Sequence, residues 1–180
     1  MPLRPFRGHT PKLASRVFVD PSAVVIGDVH IGEDSSIWPC TVVRGDMHRI
    51  RIGARVSVQD GSVLHITHAS AFNPEGFPLV IGDDVTVGHQ VTLHGCTLGS
   101  RILIGMGSLV MDGAVIEDEV ILGAGSLVPP GKVLESGYLY VGRPAKAVRP
   151  ISKKEREFFT YTAANYMRLK DEYLQEESGE

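Results

Sequence analysis

Three histidines carry the chemistry most readable from this chain. His89 and His94 stand five residues apart in V-T-V-G-H-Q-V-T-L-H-G, Val85 to Gly95, and His65 closes V-Q-D-G-S-V-L-H, Val58 to His65. Neutral imidazoles bind Zn²⁺ at about 2.0–2.1 Å, and a catalytic zinc takes three protein ligands and keeps one position open for water. Three imidazoles also accept Fe²⁺ or Co²⁺. Whether these three rings can converge depends on the elements that carry them.

Those elements count in sixes. Aliphatic residues fall at Val19, Val25, Ile31, Ile37 and Val43, then at Ile52, Val58 and Leu64, then at Ile81, Val87 and Leu93. They continue at Leu98, Ile104, Val110, Ile116, Leu122 and Val128. A small or β-branched residue precedes most of these by two positions, as at Ala23, Thr41, Ser62, Val91 and Ser108. A six-residue period with this inner pair marks a hexapeptide β-helix, an all-β solenoid in which each repeat forms one of three sides of a coil.

Assigning sides in turn puts Ile52 and Ile81 on side A, Val58 and Val87 on side B, and Val43, Leu64 and Leu93 on side C. Side chains alternate along a strand, so the residue after each inward aliphatic points out. On side C those residues are Arg44, His65 and His94, one column on successive coils about 4.8 Å apart. His89 lies two residues past Val87, at the corner leaving side B, so it can complete a site only for a neighbouring copy of the chain. The pattern couples metal binding to oligomerisation. The plainer alternative, polar residues decorating a solenoid face, accounts less well for three histidines in two adjacent coils beside an arginine.

The period breaks between Leu64 and Ile81, where T-H-A-S-A-F-N-P-E-G-F-P-L, Thr67 to Leu79, reads as an outward loop. Residues 1–16 read as an N-terminal segment, 17–140 as the solenoid, and 141–152 as a link that begins at Val141-Gly142-Arg143-Pro144. Ser152 and Glu155 form an S-x-x-E capping box. Phe159, Ala163, Tyr166, Leu169 and Tyr173 follow at helical spacing, which predicts one amphipathic helix over 153–175 that covers part of the solenoid.

Length and charge narrow the function. A chain of 180 residues suits one domain, and its 20 glycines suit a fold with frequent corners. A net charge of −3 and a pI near 6.2 argue against nucleic acid or an anionic membrane as partner. There is no apolar run of signal-peptide or membrane-spanning length, and Cys40 and Cys96 form no C-x-x-C pair. Both cysteines read as buried apolar residues of a cytoplasmic protein.

The set R-G-D (Arg44 to Asp46), V-Q-D-G-S-V-L-H and G-H-Q-V-T-L-H-G resembles the γ-class carbonic anhydrases and their close bacterial relatives, over nearly the whole chain. The resemblance implies a left-handed parallel β-helix and a homotrimer with a zinc at each subunit interface. It implies His65 and His94 as ligands from one subunit and His89 from the next. It implies Arg44 and Asp46 as the family's interfacial pair, and Gln59 and Asp60 as the pair that orients the water at the metal. The implied reaction is reversible hydration of CO₂ to bicarbonate. Tyr166, with Asn165, matches tail-helix residues that overhang the metal of an adjacent subunit in the family.

This chain departs from the archetype at two places. Met47 and His68 stand where acidic residues are expected beside the R-x-D segment and three residues after the first ligand. His68 is a candidate proton shuttle, since imidazole titrates near neutrality; as a solvated loop histidine it would have no role. His48 is assigned none, Trp38 reads as a packing residue, and His9 and His30 as surface residues. The competing functions are a hexapeptide acyltransferase using acetyl-CoA, a zinc-dependent thioester hydrolase, and a non-catalytic trimeric scaffold that retains the metal. An acyltransferase of this kind needs one loop histidine as base and leaves Arg44, Gln59 and Asp60 unexplained.

Overall fold

The computed structural model describes residues 2–178, wound into a left-handed parallel β-solenoid with one C-terminal helix. Strands, most of them of two or three residues, run round three faces and pair in parallel with the strands one coil away. The registers reproduce the sides expected from the period. Ile52 pairs with Ile81, and Ile81 with Leu98. Val58 pairs with Val87, and Val87 with Ile104. Val43 pairs with Leu64, Leu64 with Leu93, and Leu93 with Val110. One continuous apolar core fills the coils, with Val87, Leu93, Ile104 and Val110 fully buried in it.

The residues two positions earlier are buried as well, because i and i+2 face the same way on a strand. Their hydroxyls are satisfied inside the coil. Ser62 donates to the Gly88 carbonyl at 3.0 Å and accepts from the Val91 amide at 3.1 Å. Thr41 donates to the Gln59 carbonyl at 3.0 Å. Glycine does not supply every corner: Asp34, Cys40, Arg55, Asp84 and Gln90 all sit in the left-handed region, with φ between 54° and 58°.

At both ends the chain differs from the sequence reading. Within the N-terminal segment, Leu3–Arg4 and Lys12–Leu13 pair with the strand Val24–Ile31 and extend the solenoid by a partial coil. The stretch read as a link is an antiparallel hairpin, Tyr138–Gly142 with Ala145–Pro150, turning at a cis Arg143–Pro144 bond. Its first strand keeps the count, Tyr140 pairing with Leu122, but the returning strand Ala145–Pro150 follows none, so the period could not reveal the hairpin. Cys96 is buried as expected, and burial pushes its thiol pKa up, but Cys40 is exposed at a corner.

The helix spans Lys153–Ser178, three residues longer than its apolar spacing predicts. Its capping box is formed: the Ser152 amide donates to Glu155 at 2.8 Å, and the Glu155 amide to the Ser152 hydroxyl at 3.3 Å. The helix lies over the strands of side B. Phe159 and Ala163 are buried, and Tyr173 meets Phe18 and Trp38 at ring separations of 5.3 Å each. Lys170, 0% exposed, is neutralised by Asp34 at 3.1 Å and by Asp171, and Arg16 meets the same Asp34 oxygen at 2.7 Å.

The bond from Arg149, helped by the Ser152 amide and hydroxyl, holds the Glu155 carboxyl at about 2, well below its ordinary 4.5. A carboxyl with a depressed folded pKa stabilises the fold above its unfolded pKa and loses that contribution as pH falls through the folded one. Helix content followed by circular dichroism should therefore drop between pH 4.5 and 2. Glu155→Gln should flatten that segment of the acid titration, and an unchanged profile would rule out a contribution from the cap.

Candidate metal centre

Strand register brings the side-C column together. His65 sits directly beside His94 in the ladder, with Arg44 one coil before His65. The His65 Nδ1 and His94 Nε2 atoms are 3.1 Å apart. The other nitrogen of each ring meets a carboxylate: His65 Nε2 lies 3.1 Å from Asp46, and His94 Nδ1 lies 2.7 Å from Asp112. Arg44 in turn bonds Asp46 at 2.6 Å within the same chain. His89, at its corner, repeats the arrangement, with Nδ1 2.9 Å from Asp60. Each predicted ligand thus has one nitrogen backed by an aspartate and one free of it.

That arrangement suits a cation. An aspartate accepts, so the nitrogen it faces carries the proton in a neutral ring, and the opposite nitrogen presents a lone pair. With those tautomers His65 Nδ1 and His94 Nε2 would face each other across 3.1 Å as two lone pairs, a pair that an ion between them would turn into two bonds. Tetrahedral zinc with nitrogens at 2.0–2.1 Å has an edge of about 3.3–3.4 Å, within a few tenths of the separation found. Carboxylate partners on the far nitrogens are what fixes the tautomer of metal-ligating histidines.

Among the described residues no three His, Cys, Asp or Glu side chains come close enough to hold one ion. His89 belongs instead to a cavity of about 280 Å³ lined by Trp38, Gln59, Asp60, Tyr166, Leu169 and others. Gln59 is only 5% exposed there and bonds the Tyr166 hydroxyl. Burial raises the Tyr166 pKa against that bond, and the charge of Asp60 adds to the rise. So the sequence-predicted residues form two groups: Arg44, Asp46, His65 and His94 on side C, and Gln59, Asp60, His89 and Tyr166 beneath the helix.

Burial lowers the His65 pKa, with His65 8% exposed and the nearby Arg44 charge acting the same way against the bond from Asp46. Asp46 is itself partly desolvated, but its bonds to Arg44 and His65 outweigh this and hold its carboxyl below the ordinary range. Both shifts favour an uncharged imidazole beside a charged carboxylate, the pairing a metal ligand needs. His68 is exposed at the start of the 67–78 loop and makes no side-chain hydrogen bond among the described residues. Met47 is exposed as well.

Two residues escaped the sequence reading. Asp112 was outside the outward column, which in its coil runs through Met111, and it reaches His94 from the corner beyond. Its only sequence signal is its place 18 residues after His94, one coil along. Thr67, at the mouth of the loop, donates to the second oxygen of Asp112 at 2.8 Å.

The fold defines a hexapeptide-repeat protein, and comparison with known proteins agrees. A family model described as bacterial transferase hexapeptide (six repeats) matches residues 10–45. The chain is 58% identical over 172 residues to the protein YrdA of Escherichia coli, covering 96% of this chain and 94% of that one. It is 49% identical over 151 residues to a carbonic anhydrase of Geobacillus kaustophilus, covering 84% and 79%. A solved structure of a hexapeptide transferase family protein from Anaplasma phagocytophilum superposes with a TM-score of 0.87 at 42% identity, covering 95% and 97%. The chain belongs to the γ-class carbonic anhydrase family of hexapeptide-repeat proteins.

Trp38 is 5% exposed, donates from its indole nitrogen to Ser57 at 2.9 Å, and touches Phe18, Tyr166 and Tyr173. It joins helix to coil, as its reading as a packing residue expects. Trp38→Ala should cost about 3–5 kcal/mol in urea unfolding and expose the helix to limited proteolysis, whereas Trp38→Phe should keep most of the stability. Equal protease resistance in both variants would mean the helix is held elsewhere.

Proposed function

We propose that this protein is a metal-dependent carbonic anhydrase that works as a homotrimer, with zinc held by His65 and His94 of one subunit and His89 of the next. The observation that carries the reading is the aspartate behind each histidine, which leaves one lone pair on each of three rings. A zinc held there supplies the Lewis acidity that makes water nucleophilic near neutral pH. Fe²⁺ or Co²⁺ would suit the same rings.

The chain's own residues divide the remaining work. Asp46, Asp112 and Asp60 hold the protons of their imidazoles away from the ligating side, and Arg44 keeps Asp46 charged and in place. Gln59, anchored by Tyr166, has its amide at the His89 side of the site, where it can orient water and CO₂. Trp38 and Leu169 give that cavity an apolar wall suited to an uncharged substrate. His68, exposed at the loop mouth, is the group able to pass a proton to buffer. The Anaplasma phagocytophilum structure is described as a hexapeptide transferase family protein, yet acyl transfer would leave three carboxylate-backed histidines without a use.

Two measurements test this reading. Mixing His89→Ala chains with His94→Ala chains should restore some complete sites, read as bound zinc and CO₂ hydration, while either variant alone has neither. A mixture as empty as its parents overturns the shared site. His68→Ala should slow turnover at low buffer without loss of zinc, and an imidazole buffer should recover part of the rate; unchanged turnover would remove His68 from the reaction. A fully metallated trimer that hydrates no CO₂ would point to a thioester, an acyl acceptor or a scaffold role instead.

A further inference from the structure

The 67–78 loop is tied into the column of ligands at two points. Its ends close on each other, Thr67 and Phe77 exchanging amide-to-carbonyl bonds of 3.0 and 2.8 Å. Inside that closure, the Thr67 hydroxyl donates to one oxygen of Asp112 while the other oxygen takes His94 Nδ1. A carboxylate free to rotate could satisfy either partner alone; with both engaged, its plane is fixed and so is the His94 ring.

Phe77 makes the second tie. It lies where a Cβ on Gly95 would approach it to 2.7 Å, and a Cβ on Gly113 would meet its ring at 2.9 Å. Gly95 follows His94 and Gly113 follows Asp112, both with positive φ, and the Gly113 amide donates to the Gly95 carbonyl at 2.7 Å. The loop is thus seated on the backbone of the two residues it also reaches through Thr67. An ordinary solvated insertion has no need of either contact.

We propose that the 67–78 loop is a working part of the metal centre, in which Thr67 and Asp112 are positioning residues that set the His94 tautomer and so its hold on the metal. The inference rests on the metal reading above. Loop closure, through Thr67, adds to metal retention without any loop residue touching the ion.

The test uses the full-length protein, with zinc affinity read by competition against a chromophoric chelator and the His94 ring read by ¹⁵N NMR in the metal-free state. Asp112→Asn should weaken zinc binding by roughly 10- to 100-fold and move the His94 proton off Nδ1. Thr67→Val, which removes the hydroxyl at nearly constant shape, should weaken it by roughly 3- to 10-fold, and Thr67→Ser should restore it. In the Asp112→Asn background Thr67→Val should add nothing, since both act through one carboxylate. Thermal melting of the metal-free variants identifies any that merely fail to fold. The proposal falls if Thr67→Val weakens zinc equally in both backgrounds, or if neither variant changes affinity or tautomer. A wild-type protein that binds no zinc, yet loses the His94 Nδ1 proton in Asp112→Asn, would defeat the metal reading and leave the positioning pair standing.

Discussion

Everything at the candidate centre depends on the fixed rise of the solenoid. Parallel strands stack at about 4.8 Å, and the inward aliphatic stack of Val43, Leu64, Leu93 and Val110 allows no slip, because a one-residue shift would turn every buried side chain outward. Two histidines one coil apart on that frame must face each other at near contact, and they do. The aspartates arrive by the same rule, Asp46 from the coil before His65 and Asp112 from the coil after His94. A metal site assembled this way has its geometry built into the core and does not depend on a flexible loop finding the right conformation. The loop that does take part is pinned to the same column.

This dependence explains what could be read from the amino acids. A strict period fixes register, register fixes columns, and so the neighbours Arg44, His65 and His94 followed from counting, as did the separate corner position of His89. The capping box at Ser152 was legible because it is local. Asp112 was not, since it leaves the corner beyond its column and bends back toward His94; only a side-chain direction could reveal it. The returning strand at 145–150 and the strand at 3–4 escaped because their pairing is not periodic, whereas Leu13 and Tyr140 pair at the coil's own 18-residue spacing. Cys40 was misplaced for a related reason: an apolar residue type says little at a corner where the backbone turns through positive φ.

The tail helix shows how a covering element becomes part of a site. Its apolar stripe buries Phe159 and Ala163 against side B, and a fully buried lysine would destabilise it unless paired. Asp34 and Asp171 provide that compensation, and the Asp34 pair also fixes the helix along its length relative to the first coils. Tyr166, one turn before Lys170, is thereby set over Gln59. The helix gives the cavity around His89 its roof and fixes the amide that would orient water.

The two groups of candidate residues lie on different parts of the solenoid, and in the proposed trimer this division sets how subunits meet. A surface carrying His65 and His94 that must meet a different surface carrying His89 makes a head-to-tail contact, and such contacts either close into a ring or run on as a filament. A three-sided prism favours closure at three, since each subunit then presents one corner to one face of the next. In the proposed trimer every chain contributes two ligands to one centre and one to another, so each head-to-tail contact completes one centre and ring closure completes the third. Metal binding at each centre is then coupled to the subunit contact that supplies its His89, so metal and assembly would stabilise each other.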